Sequence, residues 1–286
     1  SIKIIKGNTK MKRLGILLVL MLTTVSYSQY YEGNTVIAWS KYKFKPVSEV
    51  DGHKAGDRGK ALLEYHTARN AKTKLLQSSL FLTHYWTGKV TDVNFLNEFK
   101  NMEDATLYSG TGGDLNEKTW PNEDERKAAV SGNNKYFQRY HEDVHLFENR
   151  KKLEKKKKKS KDNPNTVVAV TTRYWKPLSQ VEGGSADERD KLMQKYHKKV
   201  TMKNDKIISQ RTVTHLWTGA LSNGYYPITR ITEFASMADA DDLETGPKLY
   251  EKAFKSKEDR EAFNKYWAPA SHERSEERRV GKECRS

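Results

Sequence analysis

The sequence predicts an α+β protein built from two copies of one βαββαβ unit. Two observations lead to this prediction. The segment THYWTG at 83–88 returns as THLWTG at 214–219. At the same offset of 131 positions, NTVIAWSKYKFKPVSEVDG from residue 34 lies over NTVVAVTTRYWKPLSQVEG from residue 165. One register held over about fifty residues indicates an internal duplication, because chance similarity does not keep a fixed period.

Each copy is expected to open with a strand followed by a helix. The runs 35–39 and 166–170 are short, rich in β-branched residues and bounded by polar residues, as strands are. In 57–73 and 187–203 apolar residues recur at helical spacing after an acidic start. These segments supply the first β and α elements of each unit.

The later elements of each copy follow the same order. Alternating segments that end at Thr-Gly predict a second strand, and shorter runs after the turn predict a third. A helical region comes next, and EDVHLF (142–147) closes the first copy as a fourth strand. The segments concerned are the second strands at 75–86 and 206–217, the third strands at 93–99 and 226–234, and the helical stretches at 123–140 and 257–267.

The order βαββαβ is the ferredoxin-like pattern. Two such units in one chain resemble the dimeric α/β barrel superfamily, which includes small monooxygenases, haem-degrading enzymes and stress-response barrel proteins. The chain also resembles tandem-domain proteins of unknown function exported by Gram-negative bacteria. Both resemblances rest on element order and carry over no active-site residue. They imply an intramolecular pseudo-dimer whose sheets pack face to face.

The amino-terminal region has the layout of an export signal. Residues 11–28 hold a Lys-Arg pair, an apolar run and small polar residues, which predicts a signal peptide cleaved before Gln29. The apolar run is about half the ~20 residues that span a bilayer. We therefore expect a periplasmic or extracellular protein of a Gram-negative bacterium, with no transmembrane segment in the mature chain. Residues 1–10 are interpreted as translated upstream sequence.

The carboxyl-terminal residues 274–286, RSEERRVGKECRS, are interpreted as a translated sequencing adapter. The only cysteine, Cys284, lies in this stretch, so the natural chain is expected to have none. Neither disulfide nor thiolate chemistry is therefore expected. On this interpretation the second copy lacks its fourth strand. The predicted boundaries are a first repeat at 31–149, a Lys-rich linker at 150–163 and a truncated second repeat at 164–273.

Charge is concentrated in that linker. The formal net charge is +15, and the run 150–162 alone holds nine basic and two acidic residues. It has no interleaved aromatic residues and no nucleic-acid-binding motif, so we expect no nucleic-acid partner. A solvated, self-repelling spacer is the favoured interpretation. The alternative is contact with an anionic surface of lipid or polysaccharide.

Histidines provide the candidate site. Six of the eight recur between the copies. His84 and Trp86 are two apart on a predicted strand and so share a face, as do His215 and Trp217. An imidazole beside an indole could bind a ligand in an inter-domain cavity. A packed sheet layer in which each imidazole bonds a neighbour is the structural alternative.

Other candidates are weaker. Glu98 and Glu233 end the third strands and could join the ligand site, act as a general base or cap the following helix. His66, His141 and His197 are weak metal candidates, because their separations match no local ligand motif, and no metal is expected. No nucleophile elbow, dinucleotide fingerprint or complete phosphate loop occurs, so the sequence indicates neither a catalytic residue nor a cofactor.

These observations predict an exported small-ligand-binding or accessory protein. One alternative is an oxygenase or haem-handling enzyme of the dimeric α/β barrel type. The other is a structural or interaction domain without a small-molecule site.

Overall fold

The structure is a computed structural model, and it describes residues 33–84, 91–141, 145–156, 166–216, 224–269, 273–280 and 284–285. Within these ranges, no helix combines the length and the apolar character needed to cross a bilayer.

The described part of the chain contains ten strands. They are β1 Thr35–Phe44, β2 Leu76–His84, β3 Asp92–Phe99, β4 Phe137–His141, β5 His145–Asn149, β6 Val167–Trp175, β7 Ile207–His215, β8 Tyr226–Phe234, β9 Glu273–Arg279 and β10 Cys284–Arg285.

Helices occupy the predicted intervals between strands. They are α1 Ala55–Asn70, α2 Met102–Gly110, α3 Gly112–Thr119, α4 Glu123–Asn134, α5 Ala186–Tyr196, α6 Met237–Ala240, α7 Thr245–Ala253 and α8 Lys257–Asn264. A π-helical turn, His197–Thr201, extends α5.

Among the described residues, eight strands form a closed antiparallel sheet. Their order is β2-β3-β1-β5-β7-β8-β6-β9, and β9 pairs with β2 to close it. β4 pairs with β1, and β10 adds a short pairing to β2. Closure leaves each of the eight strands with a neighbour on both sides, which removes exposed sheet edges.

The interior of this barrel is packed. Alternate side chains of the strands point inward, and leucine and β-branched residues among them form an apolar cluster. Leu82 and Val213 are fully buried there. The buried interior cluster comprises Ile37, Leu80, Leu82, Leu96, Val168, Val213 and Ile231. This apolar cluster joins strands of the first half (β1–β5) to strands of the second half (β6–β10).

Helices cover the outer face of the sheet and form two further cores. The first-half core contains Phe44, Leu62, Phe81, Val93 and Phe95. The second-half core contains Leu153, Trp175, Met193, Ile228, Phe254, Phe263 and Trp267. In both halves, burial of large aromatic side chains on the outer face of the sheet stabilises the layer of helices.

Matching turns lead into α1 and α5. Gly52 and Gly183 both have positive φ, of 70° and 59°, a conformation that glycine adopts without the penalty of a Cβ atom. Ser185 then caps α5 by accepting a hydrogen bond from the Glu188 amide. The identical glycines in the two sequence copies therefore serve the same turn.

Two expectations from the sequence differ from the structure. The helical stretch predicted over 123–140 ends at Asn134, and β4 follows it. The second half does not lack a closing strand, because β9 pairs with β6. Phe137–His141 is short and closely follows a charged helix, and Glu273–Arg279 falls almost wholly in the stretch interpreted as adapter, so neither segment was predicted to be a strand.

The Lys-rich segment differs in part from a solvated spacer. Lys155 is 8% exposed, its backbone bridges Gln210, and its Nζ donates to the Asn204 carbonyl at 2.7 Å. Lys151 Nζ lies 2.8 Å from Glu98 Oε1. Residues 150–156 are thus part of the packed structure, while 157–165 lie outside the described residues.

Candidate functional site

The predicted histidine–tryptophan pairs are only partly described. Trp86 and Trp217 lie outside the described residues, so their part of the prediction stays untested. His84 Nδ1 is 3.4 Å from Glu277 Oε1 on β9. The His215 ring lies 4.9 Å from the Phe147 ring on β5. The two imidazoles therefore have different neighbours.

A cavity of about 670 Å³ lies on the outer face of the second half of the sheet. It is bounded by α5, the ends of β6 and β7, and the segment after β5. His215 is the member of the predicted site that lines it. The full lining comprises Asn34, Glu148, Arg150, Lys152, Leu153, Trp175, Leu178, Arg189, Asp190, Met193, Gln194, Thr214, His215, Tyr226 and Pro227.

Arginines provide the main charge of the cavity. Arg150 reaches Asp190 at 3.5 Å and Glu148 at 3.6 Å. The Arg189 guanidinium stacks over the Trp175 ring at 4.2 Å, and burial lowers the pKa of Arg189. The Nε atom of Arg189 is buried and has no hydrogen-bond partner among the described residues. It is a donor available to a ligand.

His215 borders the cavity, but its ring packs against Phe147, whose side chain faces the barrel interior. Burial lowers the pKa of His215, and the charge of His145 lowers it further. A neutral imidazole can accept a hydrogen bond or a proton, or bind a metal ion. The cavity wall combines cationic, acidic and aromatic residues, with His215 at its border.

Glu98 lies elsewhere, inside the barrel near one end. Thr35 Oγ1 donates to it at 2.6 Å and Ser78 Oγ at 3.0 Å, while Lys151 and Arg211 supply positive charge. Burial opposes ionisation of Glu98, but the charges of Arg211 and Lys151 and the hydrogen bonds outweigh it and lower its pKa to about 2. The carboxylate is thus held ionised by a buried network.

Glu233 repeats this arrangement in the second half. Thr166 Oγ1 donates to it at 2.8 Å and Ser209 Oγ at 2.9 Å, and Arg279 Nη1 lies at 3.0 Å. The capping interpretation of the two glutamates is wrong: Asn101 caps α2 and Ser236 caps α6. Neither glutamate lines the outer cavity.

The weak metal candidates lie apart from one another. His66 packs 5.1 Å from the Phe95 ring on the outer face of the sheet, and burial lowers its pKa to about 3. His84 faces inward, so the two cannot meet. His197 lies in the second half, and the side chain of His141 is outside the described part. Among the described residues, no group of three His, Cys, Asp or Glu side chains could hold a metal ion.

The contact between His84 and Glu277 leads to a prediction about stability. Burial raises the pKa of Glu277, and its Oε2 has no partner among the described residues. At the matching place in the first half, Phe147 faces His215. Glu277→Phe should therefore raise the free energy of unfolding by about 1–3 kcal/mol at pH 7, by removing a buried carboxylate.

Urea unfolding measures this gain. Because the folded state raises the pKa of Glu277, its penalty is present at neutral pH and is lost below the ordinary value of 4.5. The gain should therefore disappear in acid. The control is Glu276→Phe, on the other face of β9, which should bring no gain. An equal gain for both variants, or none for Glu277→Phe, contradicts the prediction.

Sequence reasoning missed the cavity residues, although a signal for them was present. At the 131-residue offset, Arg58 and Phe44 lie under Arg189 and Trp175. The structure stacks both pairs, Arg58 over Phe44 at 4.9 Å and Arg189 over Trp175 at 4.2 Å. An arginine and an aromatic residue shared by both copies could have been recognised as a cation–π pair.

No protein-family model and no curated protein matches this chain. Three solved structures are similar over most of its length. A "Putative monooxygenase" of Fusobacterium nucleatum is 11% identical, with 88% of this chain and 94% of that chain covered and a TM-score of 0.49. A protein of Lactobacillus acidophilus with the same description is 11% identical, with 88% and 96% covered and a TM-score of 0.44.

The third is a chlorite dismutase of Candidatus Nitrospira defluvii in complex with imidazole. It is 10% identical, with 86% of this chain and 90% of that chain covered and a TM-score of 0.45. At these identities and scores, none of the three similarities supports an assignment of activity.

Proposed function

We propose that this chain binds a small organic ligand in the cavity on the outer face of the second half of the sheet. The observation that carries the proposal is the cavity itself, about 670 Å³ in volume and walled by aromatic, aliphatic and cationic side chains. Ligand sites commonly have volumes of about 300–1,000 Å³, and the wall of this one also includes the acidic residues Glu148 and Asp190. The sequence-based hypothesis of a small-ligand-binding protein is kept, but the proposed site is this outer cavity and not a cavity between the two domains.

The walls favour a ligand with an apolar body and an anionic or acceptor group. Trp175, Met193 and Leu153 offer apolar contact, while Arg189 offers a buried N–H donor that lacks a partner within the described ranges. Planar guanidinium groups suit carboxylates, which they can bind through two parallel hydrogen bonds. Carboxylates with aromatic or short aliphatic bodies are the ligand class we propose.

Calorimetric titration with benzoate and octanoate, each beside its neutral amide, tests this proposal. We expect the carboxylates to bind and Arg189→Gln to weaken them about tenfold or more, since a charge-assisted hydrogen bond is worth about 1.5–3 kcal/mol. The matched control is Lys60→Gln, which removes one positive charge from an exposed part of α1.

Equal weakening by Arg189→Gln and Lys60→Gln would indicate general electrostatics and contradict the site. Filling the cavity with Thr214→Trp should abolish binding without unfolding the barrel, as circular dichroism would show. Undiminished binding to that variant would also overturn the proposal.

His215 keeps the haem-handling alternative open. His215 borders the same cavity as the apolar side chains and the cations Arg150 and Lys152, and its neutral imidazole packs against Phe147. An imidazole could bind the haem iron, apolar side chains could pack against the flat macrocycle, and cations could pair with its carboxylates. A haemin titration that gives an absorbance band lost in His215→Ala would favour this enzyme class over simple ligand binding.

We also infer that the two halves arose by duplication and pack as a ferredoxin-like pseudo-dimer. Corresponding strand pairs support this inference: β1–β3 matches β6–β8, and β5–β7 matches β9–β2. The Thr–Glu–Ser networks around Glu98 and Glu233 are a second support. An experimental structure in which these strands fail to superpose would contradict the inference.

Export and the adapter origin of 274–286 remain our proposals. Mass spectrometry of the mature protein should find Gln29 at its amino terminus. Sequencing the gene beyond the codon for Glu273 tests the adapter interpretation.

A further inference from the structure

Two arginines lie on the outer face of the second half without an acidic partner. Arg173 on β6 and Arg230 on β8 point to the same side of neighbouring strands. The guanidinium carbons lie 4.3 Å and 5.9 Å from the centre of the Trp267 ring. Among the described residues, neither guanidinium group forms a hydrogen bond or an ion pair.

These cations are held where charge is costly. Burial lowers the pKa of Arg173, and the nearby charge of Arg230 lowers it further. Arg230 also stacks over the Tyr196 ring at 4.8 Å. Contacts with aromatic faces offset part of the cost of desolvating a cation, but like charges held together still repel. A bound anion would remove that repulsion.

The first half shows what the same positions hold when they serve packing alone. Arg173 corresponds to Tyr42 at the 131-residue offset, and Arg230 corresponds to Phe95 at the four-residue adjustment that aligns the third strands. The rings of Tyr42 and Phe95 are in contact, with their centres 4.5 Å apart. Two aromatic residues in one half are thus replaced by two cations in the other.

Further unsatisfied polar atoms surround the arginines. The indole Nε1 of Trp267 and the Nδ1 of His197 are buried without a hydrogen-bond partner in the described ranges. His197 begins the π-helical turn that extends α5, and π-helical turns occur frequently at functional sites. The His197 ring is uncharged at neutral pH: burial lowers its pKa despite a hydrogen bond with the Glu154 backbone, and Arg230 lowers it further.

A basic depression lies near the arginine pair, on the far side of Tyr196. It is an open space of about 730 Å³ whose wall includes Tyr250, and the Tyr250 ring lies 6.3 Å from the Tyr196 ring. Its other lining residues are Lys248, Glu251, Lys252, Lys255 and Arg260. A surface with this excess of positive charge attracts anions.

We propose that Arg173 and Arg230 form a binding site for an organic oxyanion, a carboxylate or a phosphate monoester, whose body packs against the rings of Trp267 and Tyr196. This site is separate from the cavity of the proposed function, because neither arginine is among the described residues that line that cavity. The two sites can therefore be tested independently.

The test compares the natural chain with the double variant Arg173→Tyr/Arg230→Phe, which copies Tyr42 and Phe95 of the first half. Calorimetric titrations use phenyl phosphate, benzoate and the neutral benzyl alcohol at constant ionic strength. We expect at least one of the two anions to bind the natural chain and the double variant to bind that anion at least tenfold more weakly. The stronger of the two anions identifies the oxyanion class.

Arg189→Gln is the control that separates this site from the outer cavity. Phenyl phosphate binding should be retained in Arg189→Gln and lost in the double variant, whereas benzoate, which the outer cavity is also proposed to bind, should lose one bound equivalent in each variant. Loss of all anion binding in Arg189→Gln, with retention in the double variant, overturns this inference and leaves the proposed function in place. Failure of both anions to bind the natural chain at millimolar concentration also overturns it.

Folding of the double variant is checked by its thermal unfolding. Removing two neighbouring cations that lack an acidic partner should raise its Tm, because like charges held close together repel. If the double variant does not fold, the single variants Arg173→Met and Arg230→Met replace it. Full anion binding in both single variants would refute the site.

Discussion

Glu98→Gln is expected to lower the free energy of unfolding by about 3–5 kcal/mol, which is the cost of breaking a buried ion pair by removing one partner. The substitution removes the carboxylate that Lys151 and Arg211 both face and that Thr35 and Ser78 both bond. Since Arg211 belongs to β7 and Glu98 to β3, the loss weakens the contact between the two halves. Urea unfolding followed by circular dichroism measures it.

The pH dependence of stability gives an independent check of the same network. The pKa of Glu98 is lowered in the folded state from 4.5 to about 2, so the unfolded chain binds the proton more readily between those values. Stability contributed by Glu98 is therefore present above pH 4.5 and is lost as the pH falls towards 2. A shift of this size corresponds to roughly 3 kcal/mol. The difference between the natural chain and Glu98→Gln should shrink over that window.

Two further variants complete the experiment. Glu123→Gln removes an exposed carboxylate that pairs with Lys127 on α4, and it should leave stability unchanged. The double variant Glu98→Gln/Arg211→Met should be less destabilised than the two single changes together, because the partners act as a unit. Additive losses would mean that Glu98 and Arg211 are not coupled.

A chain that ends at Glu273 should lose the closed barrel. The truncation removes the residues of β9 that pair with β6 and β2, so two strand edges open. It also removes Arg279, whose Nη1 lies 3.0 Å from the buried Glu233 carboxylate. An unpaired buried charge alone costs about 3–5 kcal/mol. We expect loss of near-ultraviolet circular dichroism, binding of a hydrophobic dye and aggregation.

A chain that ends at Val280 is the matched control. It keeps β9 but removes β10, which pairs only through Cys284 and Arg285 with two residues of β2 among the described residues. Its unfolding transition should stay close to that of the full chain. If the chain ending at Glu273 unfolds as cooperatively as the one ending at Val280, β9 does not close the barrel.

Much of the secondary structure could be predicted because it depends on local patterns. Alternation in 75–86 predicted β2, and the shared inward direction of Leu82 and His84 follows from the two-residue period of a strand. β4 could not be predicted in this way, since Phe137–His141 is short and directly follows a charged helix. Its strand conformation depends on pairing with the distant β1.

The candidate site was less accessible to sequence reasoning for a physical reason. Periodicity shows that His84 and His215 occupy equivalent strand positions, but it does not show which residues lie opposite them on the neighbouring strands. Glu277 and Phe147 are supplied by strands far away in the chain. The outer cavity likewise forms only where Arg150, Arg189 and Trp175 converge from three segments. Comparing the copies for differences as well as identities would have singled out Arg173 and Arg230.

The pairing of β2 with β9 also constrains how the chain acquires its fold. Leu82 and Arg279 are partners in this ladder although most of the described chain separates them. Such a topology has a high contact order, and two-state proteins with many non-local pairings fold slowly. During vectorial synthesis the edge of β2 would remain unpaired until β9 emerged. The first half is therefore the part of the nascent chain most in need of protection from aggregation, for example by a chaperone.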